Sequence, residues 1–325
     1  MAMEVLEVGI DDGVRYSTGF MMLDAMLGGG LPRGVVEVYG NESTGKSALS
    51  TQIIGHCLRV GGCAKLYDQE DAFTPQRFEQ LANVSLQDYM HFNNKKQVLE
   101  DSNFIPVRAE TLEDVLADMP AQSAVWYKNG VCSDGAPLIF NLDSLAQTET
   151  KAEESRGYDK QEFSSTAATL SRNLKKTATA THKHGFIFLV VNQMREKVGV
   201  MFGDKNTTPG GKAIKFAAML RLQLQNFKTL ENGNLIKFTS KKNKVFYPFR
   251  TLIMPFDYDT GFSDFGAAVE TLKLLKLATL SAKSIIVRGE NKDYTFPKHP
   301  DDEGKLKLIK FAVRKYGEAR WRVSV

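Results

Sequence analysis

Eight consecutive residues, Gly40-Asn41-Glu42-Ser43-Thr44-Gly45-Lys46-Ser47, fit the pattern G-x-x-x-x-G-K-[ST]. The chemistry open to them is the cradling of a polyphosphate. Gly40 and Gly45 let the backbone curl so that successive N–H groups face one anion. A helix starting at the same place turns its positive dipole end to the phosphates. Lys46 would reach the β- and γ-phosphates, and the Ser47 hydroxyl would hold Mg²⁺. Asp143 closes an apolar run, Leu138-Ile139-Phe140-Asn141-Leu142. An acid so placed downstream of a phosphate loop is the expected partner of the magnesium shell; capping a turn is its other role. Glu70, in Asp68-Gln69-Glu70-Asp71, is either a site carboxylate or part of the start of a helix opening at Thr74-Pro75.

A second candidate region covers residues 194–209 and Gly210-Gly211. It reads as a long loop with an apolar centre, Val198, Val200, Met201 and Phe202, among Arg195, Lys197 and Lys205. Basic residues around stacking-capable side chains suit single-stranded nucleic acid. A packed loop whose tip folds under is the competing reading.

These groups need elements to position them. Residues 35–39 read as a buried strand and 48–60 as a helix stopped by Gly61-Gly62, the strand–loop–helix context the phosphate motif requires. Further strands are expected at 64–68, 137–144, 186–191, 220–225, 235–240 and 249–255, and helices at 20–27, 163–182, 212–220 and 303–316. This alternation is that of an α/β protein with a mostly parallel central sheet flanked by helices, and ligands then sit at the carboxyl ends of the strands. Residues 3–10 read as a strand that could add to a neighbour's sheet. Residues 83–136 are the least patterned, with a helix expected near 111–119 and a surface excursion at 124–135. Residues 148–162 read as a mobile loop. The expected organisation is an N-terminal segment (1–16), an ATPase-like core (17–260) and a small α+β C-terminal domain (261–325). The last helix places Leu306, Ile309, Val313 and Tyr316 on one face, and Lys307, Lys310 and Arg314 on a solvated one.

With 42% apolar and 25% charged residues in 325, the composition is that of a soluble globular protein. No apolar run is long enough to span a bilayer and no signal-peptide pattern opens the chain, so a cytoplasmic protein without a membrane partner is expected. Cys57, Cys63 and Cys132 form no C-x-x-C pair and read as reduced thiols. A net charge of +4 is too small to establish nucleic-acid binding; the clustering of basic residues decides that.

Taken together, the motifs resemble the RecA recombinases of bacteria and their phages over about residues 17–265. The resemblance rests on Ser17-Thr18-Gly19, Leu23-Asp24, Gly28-Gly29-Gly30-Leu31-Pro32-Arg33-Gly34, the phosphate loop, Asp68-Gln69-Glu70, Leu142-Asp143-Ser144 and Asn192-Gln193-Met194-Arg195. It also rests on Val198-Gly199-Val200-Met201-Phe202-Gly203 with Thr207-Thr208-Pro209-Gly210-Gly211, which is similar to the family's second DNA-binding loop. The resemblance implies a RecA-like P-loop ATPase using ATP and Mg²⁺. Glu70 would be the general base, Asp143 would act on Mg²⁺ through water, and Gln193 would sense the γ-phosphate. Lys242 and Lys244 would reach a neighbouring subunit's ATP. Val198 and Phe202 would wedge against bases, and Arg156 would mark the first DNA-binding loop. Arg77 stands where the family stacks a tyrosine on adenine, and a guanidinium can stack too. The implied protein binds single-stranded DNA as a homo-oligomer, with a helical filament expected, and exchanges strands with double-stranded DNA. An accessory ATPase of the same fold, or a nucleotide-gated DNA-binding regulator without strand exchange, is the alternative. A compact member of this kind fits a phage.

Overall fold

Strands Gly34–Gly40 (GVVEVYG) and Ile187–Gln193 (IFLVVNQ) are nearly continuous apolar runs. Such runs suit a parallel sheet buried on both faces. The computed structural model, which describes residues 13–154, 164–196, 206–289 and 292–319, contains that sheet. Its nine strands lie in the order Gly261–Phe262, Thr251–Asp257, Gly233–Asn243, Leu220–Leu230, Gly34–Gly40, Ile187–Gln193, Leu138–Asp143, Cys63–Asp68, Phe104–Val107. Neighbours from Leu220–Leu230 to Phe104–Val107 are parallel; the other three strands extend the sheet antiparallel.

Alternate residues serve opposite faces. Val36, Val38, Ile187 and Leu189 join one buried cluster with Leu49, Ile53 and Ile54 of helix Lys46–Arg59. Val35, Phe188 and Val190 join another with Leu112, Met119 and Trp126 of helix Leu112–Lys128. That helix corrects the expected surface excursion. It runs well past 119, and Trp126 is fully buried, stacked 5.4 Å from Phe140 with its indole N–H donating to the Ser102 carbonyl. Strand Phe104–Val107 was not expected: four residues containing a proline carry too little periodicity to read. The expected strand at 3–10 lies outside the described residues, as does most of the expected mobile loop, whose start instead forms helix Lys151–Glu154.

Two motifs of the resemblance prove to hold the fold. Thr18 N–H and Oγ and Ser17 Oγ all donate to the Asp24 carboxylate, pinning the entry to helix Met21–Leu27. Cys63 and Cys132 are joined as a disulfide with Cα atoms 5.8 Å apart, correcting the reduced thiols expected for them. Cys57 is free, and burial pushes its thiol well above the ordinary range. The C-terminal part is a three-stranded antiparallel sheet (Ala278–Leu280, Ser284–Arg288, Asp293–Pro297) and helix Asp302–Glu318. The helix buries Leu308, Ile309, Ala312 and Tyr316, while Leu306 is exposed and Val313 is partly buried; the apolar face is therefore rotated from the one expected. Among the described residues no helix is long and apolar enough to cross a membrane.

Candidate active site

Parallel strands bring their carboxyl ends to one edge of the sheet, and every strand-end group singled out above sits there. Gly40 is in register with Gln193, and Asp68 with Asp143. Between Gly34–Gly40 and helix Lys46–Arg59 the loop makes its turn at Gly45, whose φ of 78° a side chain rarely adopts. Gly40 is held to glycine by a close approach: a Cβ there would meet the Leu224 carbonyl oxygen at 2.2 Å.

The loop opens on a cavity of about 510 Å³ lined by Glu42, Ser43, Gly45, Lys46, Ser47, Glu70, Asp143, Gln193, Phe256 and Tyr258. Lys46 is buried, and its Nζ donates to the Asn41 carbonyl at 2.7 Å; Thr44 Oγ donates to the same oxygen at 2.9 Å. Burial lowers the Lys46 pKa, while Asp143, Glu70 and Glu42 oppose the shift. Asp143 shares a side-chain hydrogen bond with Ser47, yet its Oδ1 is buried without a hydrogen-bond partner. Burial is the main reason its pKa is pushed up to about 6, with Glu70 and Asp68 adding to the shift. A buried carboxylate oxygen beside a hydroxyl, at the foot of a phosphate-shaped loop, fits a divalent cation. Among the described residues no group of three or more His, Cys, Asp or Glu side chains could hold a metal ion. Glu70 is exposed to the cavity and accepts the Ser144 hydroxyl at 2.5 Å. Ser144 was quoted from sequence only as part of Leu142-Asp143-Ser144 and given no role; its contact with Glu70 depends on the fold.

The Asp143 environment gives a stability prediction. Its folded-state pKa lies above the unfolded value of 3.8, so the stability gained is complete below that value and lost as pH rises through about 6. Asp143→Asn should therefore stabilise the ligand-free protein by about 2–3 kcal/mol at about pH 7.5 and by little at about pH 4. Denaturant unfolding at the two pH values checks this. The variant should also lose stabilisation by Mg²⁺–nucleotide.

Three other expected groups lie apart from this cavity. Arg77 lines a smaller adjoining cavity of about 210 Å³, and its guanidinium donates to the Tyr258 and Asp259 carbonyls. Lys242 and Lys244 are not among the cavity's lining residues. Lys242 Nζ instead donates to the carbonyls of Lys215 (2.6 Å) and Phe216 (2.9 Å), at the end of helix Gly211–Ala217. Burial, with Lys244 and Arg221 nearby, lowers its pKa to about 8.

The candidate nucleic-acid loop leaves from the same edge. Met194 N–H donates to the Gly40 carbonyl at 3.1 Å, and Arg195–Glu196 pairs antiparallel with Asn206–Thr207. Gly210 (φ 84°) caps helix Gly211–Ala217. Arg156, Lys197, Val198, Met201, Phe202 and Lys205 lie outside the described residues, as does the side chain of Arg195.

Comparison with known proteins agrees with this architecture. A family model described as the RecA N-terminal domain matches residues 6–119 and 120–263. The chain is 32% identical over 278 residues to the protein RecA of Bacillus licheniformis and to that of Bacillus subtilis, covering 82% of this chain and 72% of each relative. It is 33% identical over 262 residues to the protein RecA of Frankia alni, covering 78% of this chain and 68% of the relative.

Proposed function

The chain belongs to the RecA family, and from that premise we propose that it is an ATP-dependent homologous recombination protein. It binds single-stranded DNA as an oligomer or filament, pairs it with homologous double-stranded DNA and exchanges strands, hydrolysing ATP to ADP and phosphate. The observation that carries this reading is the strand-end edge. Lys46, Ser47, Glu70, Asp143 and Gln193 converge on one cavity, and the candidate DNA loop is rooted by a hydrogen bond to Gly40, the first residue of the phosphate loop.

The chain's own residues divide the work. Lys46 is buried beside the cavity and would exchange the Asn41 carbonyl for the β- and γ-phosphate oxygens. Ser47 and Asp143 would hold Mg²⁺, which when bound offsets negative charge on the phosphates. Glu70 would take the proton of the attacking water, its carboxylate oriented by Ser144. Gln193 would sense the γ-phosphate, and the adjacent segment would then order on DNA. Arg195, Lys197 and Lys205 would meet DNA phosphates, and Val198, Met201 and Phe202 the bases. Lys242 and Lys244, which stand away from this chain's own cavity, would complete the site of a neighbouring subunit.

Steady-state phosphate release with and without single-stranded DNA tests the reading. DNA should stimulate turnover if the nucleotide cavity and the DNA loop are linked. Turnover indifferent to DNA would leave the cavity as that of a RecA-family ATPase whose hydrolysis is not linked to DNA.

A further inference from the structure

One buried amide ties together both roots of segment 197–205. Asn192 is fully buried at the end of strand Ile187–Gln193, and its Nδ2 donates to Glu37 Oε1 at 3.0 Å and to the Pro209 carbonyl at 3.0 Å. Both partners can only accept, which fixes the orientation of the amide. Its Oδ1 accepts the Gln193 backbone N–H at 3.0 Å. Glu37 is also fully buried, in the strand that ends at Gly40. Its second oxygen takes Arg221 Nε, and the Arg221 guanidinium lies 4.5 Å from the centre of the Tyr39 ring. Burying a carboxylate is costly unless it is paired, and the Val residues flanking Glu37 show that this strand packs without charge. The network joins the phosphate-loop strand, the root at 192–194 and the root at 208–210. Beside it, Thr208 Oγ is buried with no hydrogen-bond partner among the described residues, which makes this arrangement of the second root cheaper to leave.

We infer that Asn192 is a positioning residue that links the phosphate-loop strand, through Glu37, to both roots of segment 197–205, and so sets how strongly DNA affinity depends on the bound nucleotide. The inference rests on the function proposed above. The bridging NH₂ gives the supports of both roots one shared group, and whether both sites bias its arrangement is what the two nucleotide states report. Serine has a single hydroxyl proton and cannot donate to Glu37 and Pro209 at once.

The test measures single-stranded DNA affinity of the full chain with a non-hydrolysable ATP analogue and with ADP, for wild type, Asn192→Ser and Asn192→Ala. Nucleotide affinity and melting temperature are followed in parallel. Wild type should bind DNA about ten- to a hundredfold more tightly with the ATP analogue, and both variants about equally in the two states, while still binding nucleotide. A residue that only supports packing would lower the melting temperature and leave the affinity ratio intact, so a retained ratio in Asn192→Ser overturns the inference alone. Wild type without any ratio overturns the proposed function together with it. Hydrogen exchange on wild type covers the case in which the variants do not fold. Amides at 192–194 and at 208, 210 and 211 should change protection together when ADP replaces the ATP analogue, and change at one root only would contradict the bridge.

Discussion

Glu70→Gln should slow ATP hydrolysis by about 10²- to 10⁴-fold, the scale of a lost general base, with ATP affinity nearly unchanged. The substitution keeps the shape of the side chain and an oxygen for the Ser144 hydroxyl, which donates to Glu70 Oε1 at 2.5 Å, so the orientation survives and only the proton acceptor is lost. Lys46, Ser47 and Asp143, the groups proposed to hold phosphate and cation, are untouched. Phosphate release and nucleotide titration on the same preparation separate the two quantities. A wild-type rate would move the base elsewhere, and Asp68 and Asp71 are the other carboxylates of that strand-end turn. Weakened binding with an unchanged rate of bound ATP would make Glu70 a binding group.

Lys242→Ala should also lower hydrolysis steeply, by about 10³-fold if it supplies a transition-state cation from a neighbouring subunit. The defect should be repaired by mixing. In a head-to-tail assembly each site takes Glu70 from one subunit and Lys242 from the next, an interface made of two different surfaces. An equal mixture of Glu70→Gln and Lys242→Ala proteins then assembles about one quarter of its sites from two intact halves, and about one quarter of wild-type turnover should return. Loss of the Lys242 bonds to the Lys215 and Phe216 carbonyls could weaken each subunit, but no such defect would be cured by a partner that is itself inactive. Activity of the mixture equal to the sum of its parts would confine Lys242 to its own subunit.

The parts of this molecule that were legible in sequence share one property: a short-range pattern that a single element satisfies. The phosphate loop, the apolar strands and the Asp143 strand end are of this kind, since a run such as Phe186-Ile187-Phe188-Leu189-Val190-Val191 has few other places to go. What was missed depends on tertiary contacts. Trp126 is buried because Phe140 and Phe186 stack against its side of the sheet, which nothing in residues 124–135 announces. Cys63 and Cys132 are separated by 69 positions and meet only because the helix returns to the start of the strand. In the last helix, packing rather than spacing selects Leu308 and Ala312 over Leu306. Glu37 and Arg221 carried a signal that could have been used: a charge inside an apolar strand needs a partner.

Strand exchange tests the central claim most directly. Protein assembled on single-stranded DNA with ATP and Mg²⁺ is mixed with labelled duplex of matching or unrelated sequence, and strand transfer is followed by loss of energy transfer between the duplex strands. The account predicts transfer with the matching duplex only, dependent on ATP and impaired in Phe202→Ala, whose single-strand affinity should fall by about 1–3 kcal/mol for one lost base–aromatic contact. DNA-stimulated ATP hydrolysis without transfer to the matching duplex would contradict it, and would leave an accessory ATPase of the same fold.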